Sequence, residues 1–287
     1  MSGDRGAGTL VLVSTPIGNL GDLSPRALEA LAQADLVCCE DTRRTRGLLT
    51  HAGLKGVRLM SLHGHNEMAR VEAVLAHLAE GRTVAVVSDA GTPAVSDPGG
   101  RLVSAAAAAG ATVTTVPGPS AVLAALVVSG LPTDRFCFEG FLPRRGGERR
   151  RRVEVVAGDA RTAVLFEAPG RLAATLGDLL EACGPERRVV VARELTKLHE
   201  EVWRGTLAEA SAAFAERDVR GEVVVVLAGD PEADRAPDDP DIVEALRARL
   251  EAGDSLRDAA GLVAGAMGVS RRRAYDLALA LRRNAEP

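Results

Sequence analysis

The chain has 287 residues, 46% hydrophobic but only 2% aromatic, and carries a formal net charge of −4. That length is a prior for about two domains, and so few aromatic rings leave the core to Val, Leu and Ala, which suits buried parallel strands and close-packed helices. There is no charge-free apolar run of membrane-spanning length and no leader-peptide pattern at the N-terminus, so a soluble, cytoplasmic protein with no membrane partner is expected.

Apolar strand patterns at 9–14, 35–39, 57–61, 83–88 and 112–116 alternate with helical patterns at 25–33, 42–51, 66–80, 98–109 and 119–129. Such alternation argues an α/β fold with a mostly parallel sheet covered by helices on both faces. Val116-Pro117-Gly118-Pro119-Ser120 reads as a hinge, with Ser120 capping the next helix. A second α/β half begins near Arg135-Phe136-Cys137-Phe138 and adds strands at 162–167, 187–193 and 222–227. An acidic, proline-rich stretch then reads as a linker, followed by helical patterns at 242–251, 255–267 and 270–283. Ser255 and Ser270 suit N-caps, and Gly268-Val269 gives the last two helices a helix-turn-helix spacing, read either as a nucleic-acid-binding pair or as a packing module. The expected division is 1–117 and 118–230 for two α/β domains, 231–241 for the linker and 242–287 for a helical tail.

The chemistry gathers where strands end. SDAGTPAVSDPGG at 88–100 is longer than an ordinary strand-to-helix turn, and open α/β sheets bind ligands outside the carboxyl ends of their strands. There Asp89 can accept hydrogen bonds, Gly91 lets the backbone approach, and Pro93 and Pro98 stiffen the loop. STPIGNLGD at 14–22 offers backbone amides at Ile17 and Gly18. EDTRRT at 40–45 sets Glu40 and Asp41 beside Arg43 and Arg44, either as an ion-pair corner or as proton-handling carboxylates with phosphate-binding guanidiniums. SLHGHNE at 61–67 carries His63 and His65, read as substrate contacts or as a helix start because no third metal ligand is evident. RELTKLHEE at 193–201 adds Glu194, Thr196 and Lys197, either lining a groove or forming a polar hairpin. No metal spacing, C-x-x-C pair, phosphate-loop or dinucleotide fingerprint occurs. Arginine runs at 144–152, 271–273 and 282–283 are patches that can bind a phosphate backbone.

In chain order STPIGNLGDLSPRAL, ADLVCCEDTRRT, SLHGHNE, VVSDAGTPAVSDPGG, VPGPSAV, SGLPTDRFCFEGFLPRR, RELTKLHEE and RGEVVVVLAG resemble the tetrapyrrole methylase superfamily. Within it they resemble the ribosomal RNA small subunit methyltransferase I family, the 16S rRNA cytidine-2'-O-methyltransferases. The resemblance spans about residues 10 to 229 and extends to the helical tail. It implies two α/β domains with S-adenosylmethionine in the cleft between them, a homodimer, and methyl transfer to a ribose 2'-hydroxyl in the decoding region of 16S rRNA or of the small ribosomal subunit. It implies cofactor contacts at Ile17, Gly18, Asp89, Gly91, Thr92, Ser120, Ala121, Phe166 and Ala228. Arg145 and Arg220 replace the commoner lysine, and Ser14 a smaller residue, swaps that keep charge or small size.

The family pattern singles out no base, so Glu40, Asp41 and Lys197 are the catalytic candidates on their polar strand-end positions. Arg43, Arg44, His63, His65, Arg144 and Arg145 are the substrate candidates, and no metal is called for. The competing readings are a methylase of a porphyrin-type ring, a non-enzymatic nucleic-acid-binding protein carried by the tail, and a nicotinamide-dependent oxidoreductase. The arginine run and the tail favour RNA over a macrocycle, and the missing glycine fingerprint disfavours the last.

Overall fold

The computed structural model describes residues 8–64, 66–233 and 238–283. His65 therefore lies outside the described residues. The chain up to Asp230 forms one compact unit and the remainder a second.

The first unit begins with five parallel strands, β1 (Thr9–Val13), β2 (Leu36–Cys39), β3 (Leu59–Ser61), β4 (Thr83–Val87) and β5 (Thr112–Val116), in the order β3-β2-β4-β1-β5. The connecting helices are α1 (Pro25–Gln33), α2 (Thr42–His51), α3 (Glu67–Ala79) and α4 (Gly100–Ala108). Their starts are written locally. Ser24 accepts from the Ala27 amide at 3.1 Å ahead of Pro25, and Asp41 accepts from the Arg43 amide at 2.7 Å. The α4 start is capped from afar: buried Glu67 Oε1 accepts the amides of Gly99, Arg101 and Leu102, supplying a negative charge where the helix dipole favours one. Both sheet faces are sealed, one by Leu10, Val84 and Leu102, the other by Val13, Leu31 and Val37.

α5 (Ala121–Ser129) follows β5 but packs on a different sheet, with Val122, Ala125 and Leu126 against Val164, Val190 and Val226. That sheet comprises β6 (Phe136–Phe141), β7 (Thr162–Glu167), β8 (Arg188–Arg193), β9 (Glu201–Thr206) and β10 (Val223–Leu227), in the order β6-β7-β10-β8-β9. Its far face is covered by α6 (Gly146–Ala157), α7 (Leu172–Cys183) and α8 (Leu207–Phe214).

Two sequence-based expectations change here. The second sheet is mixed: β6 pairs parallel with β7, but β10 runs antiparallel to both its neighbours and β9 antiparallel to β8. RELTKLHEE is the loop of the β8–β9 hairpin, and β9 has no clear strand signal because EVWRGT lacks an apolar run and carries two charges. The arginine run is also not uniform. Arg149 is buried on α6, donating to Asp178 at 2.6 Å, Pro143 O at 3.0 Å and Thr175 at 2.9 Å, whereas Arg150, Arg151 and Arg152 are exposed.

The second unit holds α9 (Asp239–Glu251), α10 (Leu256–Met267) and α11 (Arg271–Arg283). α9 begins inside the stretch expected to be linker, because Asp238 and Asp241 form a reciprocal capping box. Ser255 caps α10, Gly268 ends it at φ +66°, and Ser270 Oγ accepts from the Arg273 amide at 3.2 Å. Ile242, Leu246, Val263 and Ala274 form its core. Among the described residues no helix is long and apolar enough to cross a membrane.

Candidate active site

The turns after β1, β2, β4 and β5 meet above the carboxyl ends of the first sheet. Thr15 and Gly91 form an antiparallel bridge, with amide-to-carbonyl distances of 2.9 and 3.0 Å. Thr15 Oγ1 donates to Ser88 O at 3.2 Å, Ser14 Oγ to Thr92 Oγ1 at 3.3 Å, and Thr92 Oγ1 to Pro119 O at 3.3 Å. Asp89 ties in the β2 turn: Oδ1 accepts from the Asp41 amide at 3.1 Å and Oδ2 pairs with Arg44 at 3.3 Å. Gly91 sits at φ +84°, a conformation that disfavours any side chain. Ala94 and Ser96, at φ +68° and +60°, store backbone strain in the same loop, which is characteristic of functional turns.

These turns form one wall of a pocket of about 450 Å³ that reaches the second sheet. On the near wall lie Ile17, Glu40, Arg44, Asp89, Gly91 and Thr92, with Ser96 and Asp97 behind them. Opposite are Ser120 and Ala121 at the start of α5, Phe166 and Glu167 at the carboxyl end of β7, and Glu222, Val223 and Val224 at the start of β10. Glu167 is held on its wall by Arg171 at 3.2 Å and by the Thr175 hydroxyl, which also accepts from Arg149. Arg149 thus supports the pocket from beneath.

Electrostatically the pocket is acidic. Burial raises the Glu40 carboxyl above its ordinary value, the charge of Asp89 adds to this, and Arg44 pulls it back. Burial pushes Asp97 up to about 6; Glu40 and Asp89 act in the same direction and a hydrogen bond with Ser88 opposes them.

Seven of the nine expected cofactor contacts line this pocket: Ile17, Asp89, Gly91, Thr92, Ser120, Ala121 and Phe166. Two do not. Gly18 faces the β8–β9 loop, where a Cβ would lie 2.4 Å from Lys197 Cγ. Ala228 follows β10 at the end remote from Val223, because β10 runs antiparallel to β7 and brings its start to the pocket.

Of the catalytic candidates only Glu40 lines the pocket. Asp41 is the half-buried N-cap of α2, and the hydrogen bond from the Arg43 amide holds its carboxyl below the usual range. Lys197 is clamped by Glu194 at 2.7 Å and Glu222 at 3.0 Å. Partial burial lowers its pKa, but those hydrogen bonds outweigh it and keep the ammonium charged. Of the substrate candidates Arg44 is in the pocket, Arg43 points to solvent, and His63 is close enough to Glu40 to influence its charge. Arg144 and Arg145 are exposed before α6. Sequence reasoning missed Asp97, Glu167, Glu222 and Phe141 as pocket residues. Asp97 had a visible signal as the second carboxylate of SDAGTPAVSDPGG, whereas Glu222 and Phe141 enter through strand pairings that local sequence does not encode.

A likeness to known proteins accompanies this geometry. Residues 9–211 match the Tetrapyrrole (Corrin/Porphyrin) Methylases, and residues 236–282 match the RsmI C-terminal HTH domain. The solved methyltransferase CobJ superposes with a TM-score of 0.61 at 24% identity, over 78% of this chain and 95% of its own, a likeness of fold. A Ribosomal RNA small subunit methyltransferase I from Synechocystis sp. (strain ATCC 27184 / PCC 6803 / Kazusa) is 46% identical over 96% of this chain and 98% of its own. One from Mycobacterium tuberculosis (strain CDC 1551 / Oshkosh) is 48% identical over 96% of both chains. The fold is thus that of the tetrapyrrole methylases, a class of methyl-transferring enzymes. The chain belongs to the ribosomal RNA small subunit methyltransferase I family within that class.

It is an enzyme, and its methyl donor is S-adenosylmethionine. The pocket fits that group. Its volume lies in the small-molecule range of about 300–1,000 Å³. Ile17, Phe166, Val223 and Val224 offer apolar surface, Asp89 and Glu40 accept from hydroxyl or amino groups, and the excess of carboxylates suits a sulfonium cation.

Proposed function

We propose that the enzyme methylates the ribose 2'-hydroxyl of a cytidine in the decoding region of 16S ribosomal RNA, in the cytoplasm and as a homodimer. The observation that carries the reading is likeness along the entire catalytic unit and tail to relatives named for the small-subunit RNA. We retain 1–117 and 118–230 as our assignment of the two α/β domains, with the linker expected at 231–241 shortened to end at the Asp238 cap of α9, where the tail begins.

In this reading Ile17, Asp89, Gly91, Thr92, Ser120, Ala121 and Phe166 hold S-adenosylmethionine, which supplies an electrophilic methyl group. Gly18 lets the β1 turn close against the Lys197 loop, and Ala228 packs at the opposite end of the second sheet, beside Arg188. Holding an incoming hydroxyl in line with the donor contributes much of the rate. Glu40 takes the hydroxyl proton as the oxygen is alkylated; its raised affinity for a proton suits that role. Asp97 stands beside it as a second acceptor. Asp41 fixes the turn that carries Glu40, and Lys197 fixes the hairpin loop against Gly18. Arg44 and Arg43, with Arg144, Arg145 and the exposed arginines of α6, face the phosphate backbone; His63 adjusts the charge near Glu40, and His65 is kept as a substrate residue on its sequence position alone.

The test is to map methylated riboses in small subunits from cells lacking the gene, with and without the gene restored. One lost and restored 2'-O-methyl cytidine in 16S RNA is expected. An unchanged methylation map would refute the reading.

A further inference from the structure

The aromatic residues of this chain are unevenly spent. It has five Phe, one Trp and one Tyr, and three of the Phe, Phe138, Phe141 and Phe166, gather at one rim of the pocket. Phe166 meets Phe138 edge-on at 4.9 Å between centroids and Phe141 at 5.6 Å. A backbone irregularity arranges this. Phe138 pairs with Val164 and Gly140 with Leu165, so Glu139 is the extra residue of a bulge. Without it, Phe138 and Phe141, three apart on one strand, would point to opposite faces of the sheet. With it, Phe141 pairs with Phe166 and shares its face, and Gly140 adopts φ +62° to make the bend. A fold whose core is mostly Leu, Val and Ala thus forms a bulge to deliver a ring that is 54% exposed.

That ring lies at a junction. Phe141 lines the acidic pocket and also a neighbouring groove of about 480 Å³ whose other walls include Arg151, Arg152 and Pro143. Arg152 is oriented there by Glu139, the bulged residue, at 2.8 Å. Arg151 and Arg152 share this groove with Glu139 and Glu148, and an exposed aromatic face beside guanidinium groups is one way proteins hold single-stranded nucleic acid: the base stacks on the ring and the phosphates follow the cations. A ribose hydroxyl reaches an enclosed donor only when its nucleotide leaves the helical stack, and a base taken out of its stack needs a new surface.

We propose that Phe141 is the stacking platform for the base of the nucleotide being methylated, with Arg151 and Arg152 holding the adjoining backbone. This rests on the RNA reading above. Phe166, deeper in the pocket, serves the cofactor.

The test uses the full-length enzyme, its full small-subunit substrate and three variants, Phe141→Ala, Phe141→Leu and Phe141→Trp. kcat/KM for RNA methylation and the cofactor Kd by calorimetry are read separately. Phe141→Ala and Phe141→Leu should lower kcat/KM by about ten- to a hundred-fold, the span of base–aromatic stacking. Phe141→Trp should retain most of the wild-type value, and the cofactor Kd should stay within about two-fold throughout. Phe141→Leu keeps apolar bulk on the strand, so wild-type kcat/KM in that variant would overturn the proposal. So would a cofactor Kd that rises in step with the lost activity, which would make Phe141 a cofactor wall. Wild-type enzyme that binds S-adenosylmethionine but methylates no ribosomal RNA would instead refute the RNA reading itself.

Discussion

Glu40 and Asp97 carry different consequences although they share one pocket. Substituting Glu40→Gln removes the proton acceptor while preserving shape, and we expect kcat to fall by about a hundred-fold or more with little change in cofactor affinity. Single-turnover methylation with calorimetry of the same preparation checks this. Asp97 makes a stability prediction. Its carboxyl is raised to about 6 in the folded protein, against about 3.9 in an unfolded chain. Between those values the folded form binds the extra proton, so stability is lost as pH rises through that window. Asp97→Asn should therefore raise the thermal midpoint at pH 8 by a few degrees and lose that advantage below about pH 4. Melting curves at the two pH values decide it; equal midpoints at pH 8 would refute the penalty on ionising this buried carboxyl. Asp41→Ala should cost about 1 kcal/mol, the usual value of an N-cap, in denaturant unfolding.

α6 shows how one arginine-rich helix does two jobs. Its exposed face carries Arg150, Arg151 and Arg152, while Arg149 is turned inward to Asp178 and Thr175. Removing Arg149 deletes its hydrogen bonds to Asp178, Pro143 O and Thr175 and loosens the support of Glu167, so Arg149→Ala should destabilise the fold by about 2 kcal/mol, as the loss of hydrogen bonds to a charged group does. Chemical denaturation measures it. Arg150→Ala combined with Arg151→Ala should leave that stability within about 0.5 kcal/mol. It should also weaken RNA binding and flatten the dependence of log K on log salt by about two phosphate contacts. Equal slopes for the double variant and wild type would remove this face from the RNA interface.

The described chain is two compact units, and the proposed function assigns them separate tasks. We propose that the first unit holds the cofactor and that the tail, with Arg271 and Arg272 exposed on α11, contacts the RNA. Substituting Arg271→Ala and Arg272→Ala in the full chain should raise the KM for small subunits several-fold without moving the cofactor Kd. A change in cofactor affinity would contradict that separation. Steady-state kinetics and calorimetry on one preparation distinguish the two.

Local sequence was sufficient for the strands of the first sheet. They are short runs rich in apolar and β-branched residues, and the caps at Ser24, Asp41 and Ser120 act within a few residues of themselves, although α4 takes its cap from Glu67 on α3. The turns carrying Ile17, Asp89, Gly91 and Ser120 were legible for the same reason, since a parallel strand always delivers its carboxyl end to the same side. The direction of β10 was not legible. Val223–Leu227 is equally apolar read in either sense, and only its pairing with β7 and β8 sets Val223 rather than Ala228 at the pocket. The inward turn of Arg149 is likewise set by Asp178, 29 residues away, and the outward ring of Phe141 by a bulge that appears only when two strands are laid together. Backbone preference and apolar period are local properties and survive in the bare chain. Strand sense, register and the partner of a buried charge are long-range choices, fixed when distant segments pack against one another.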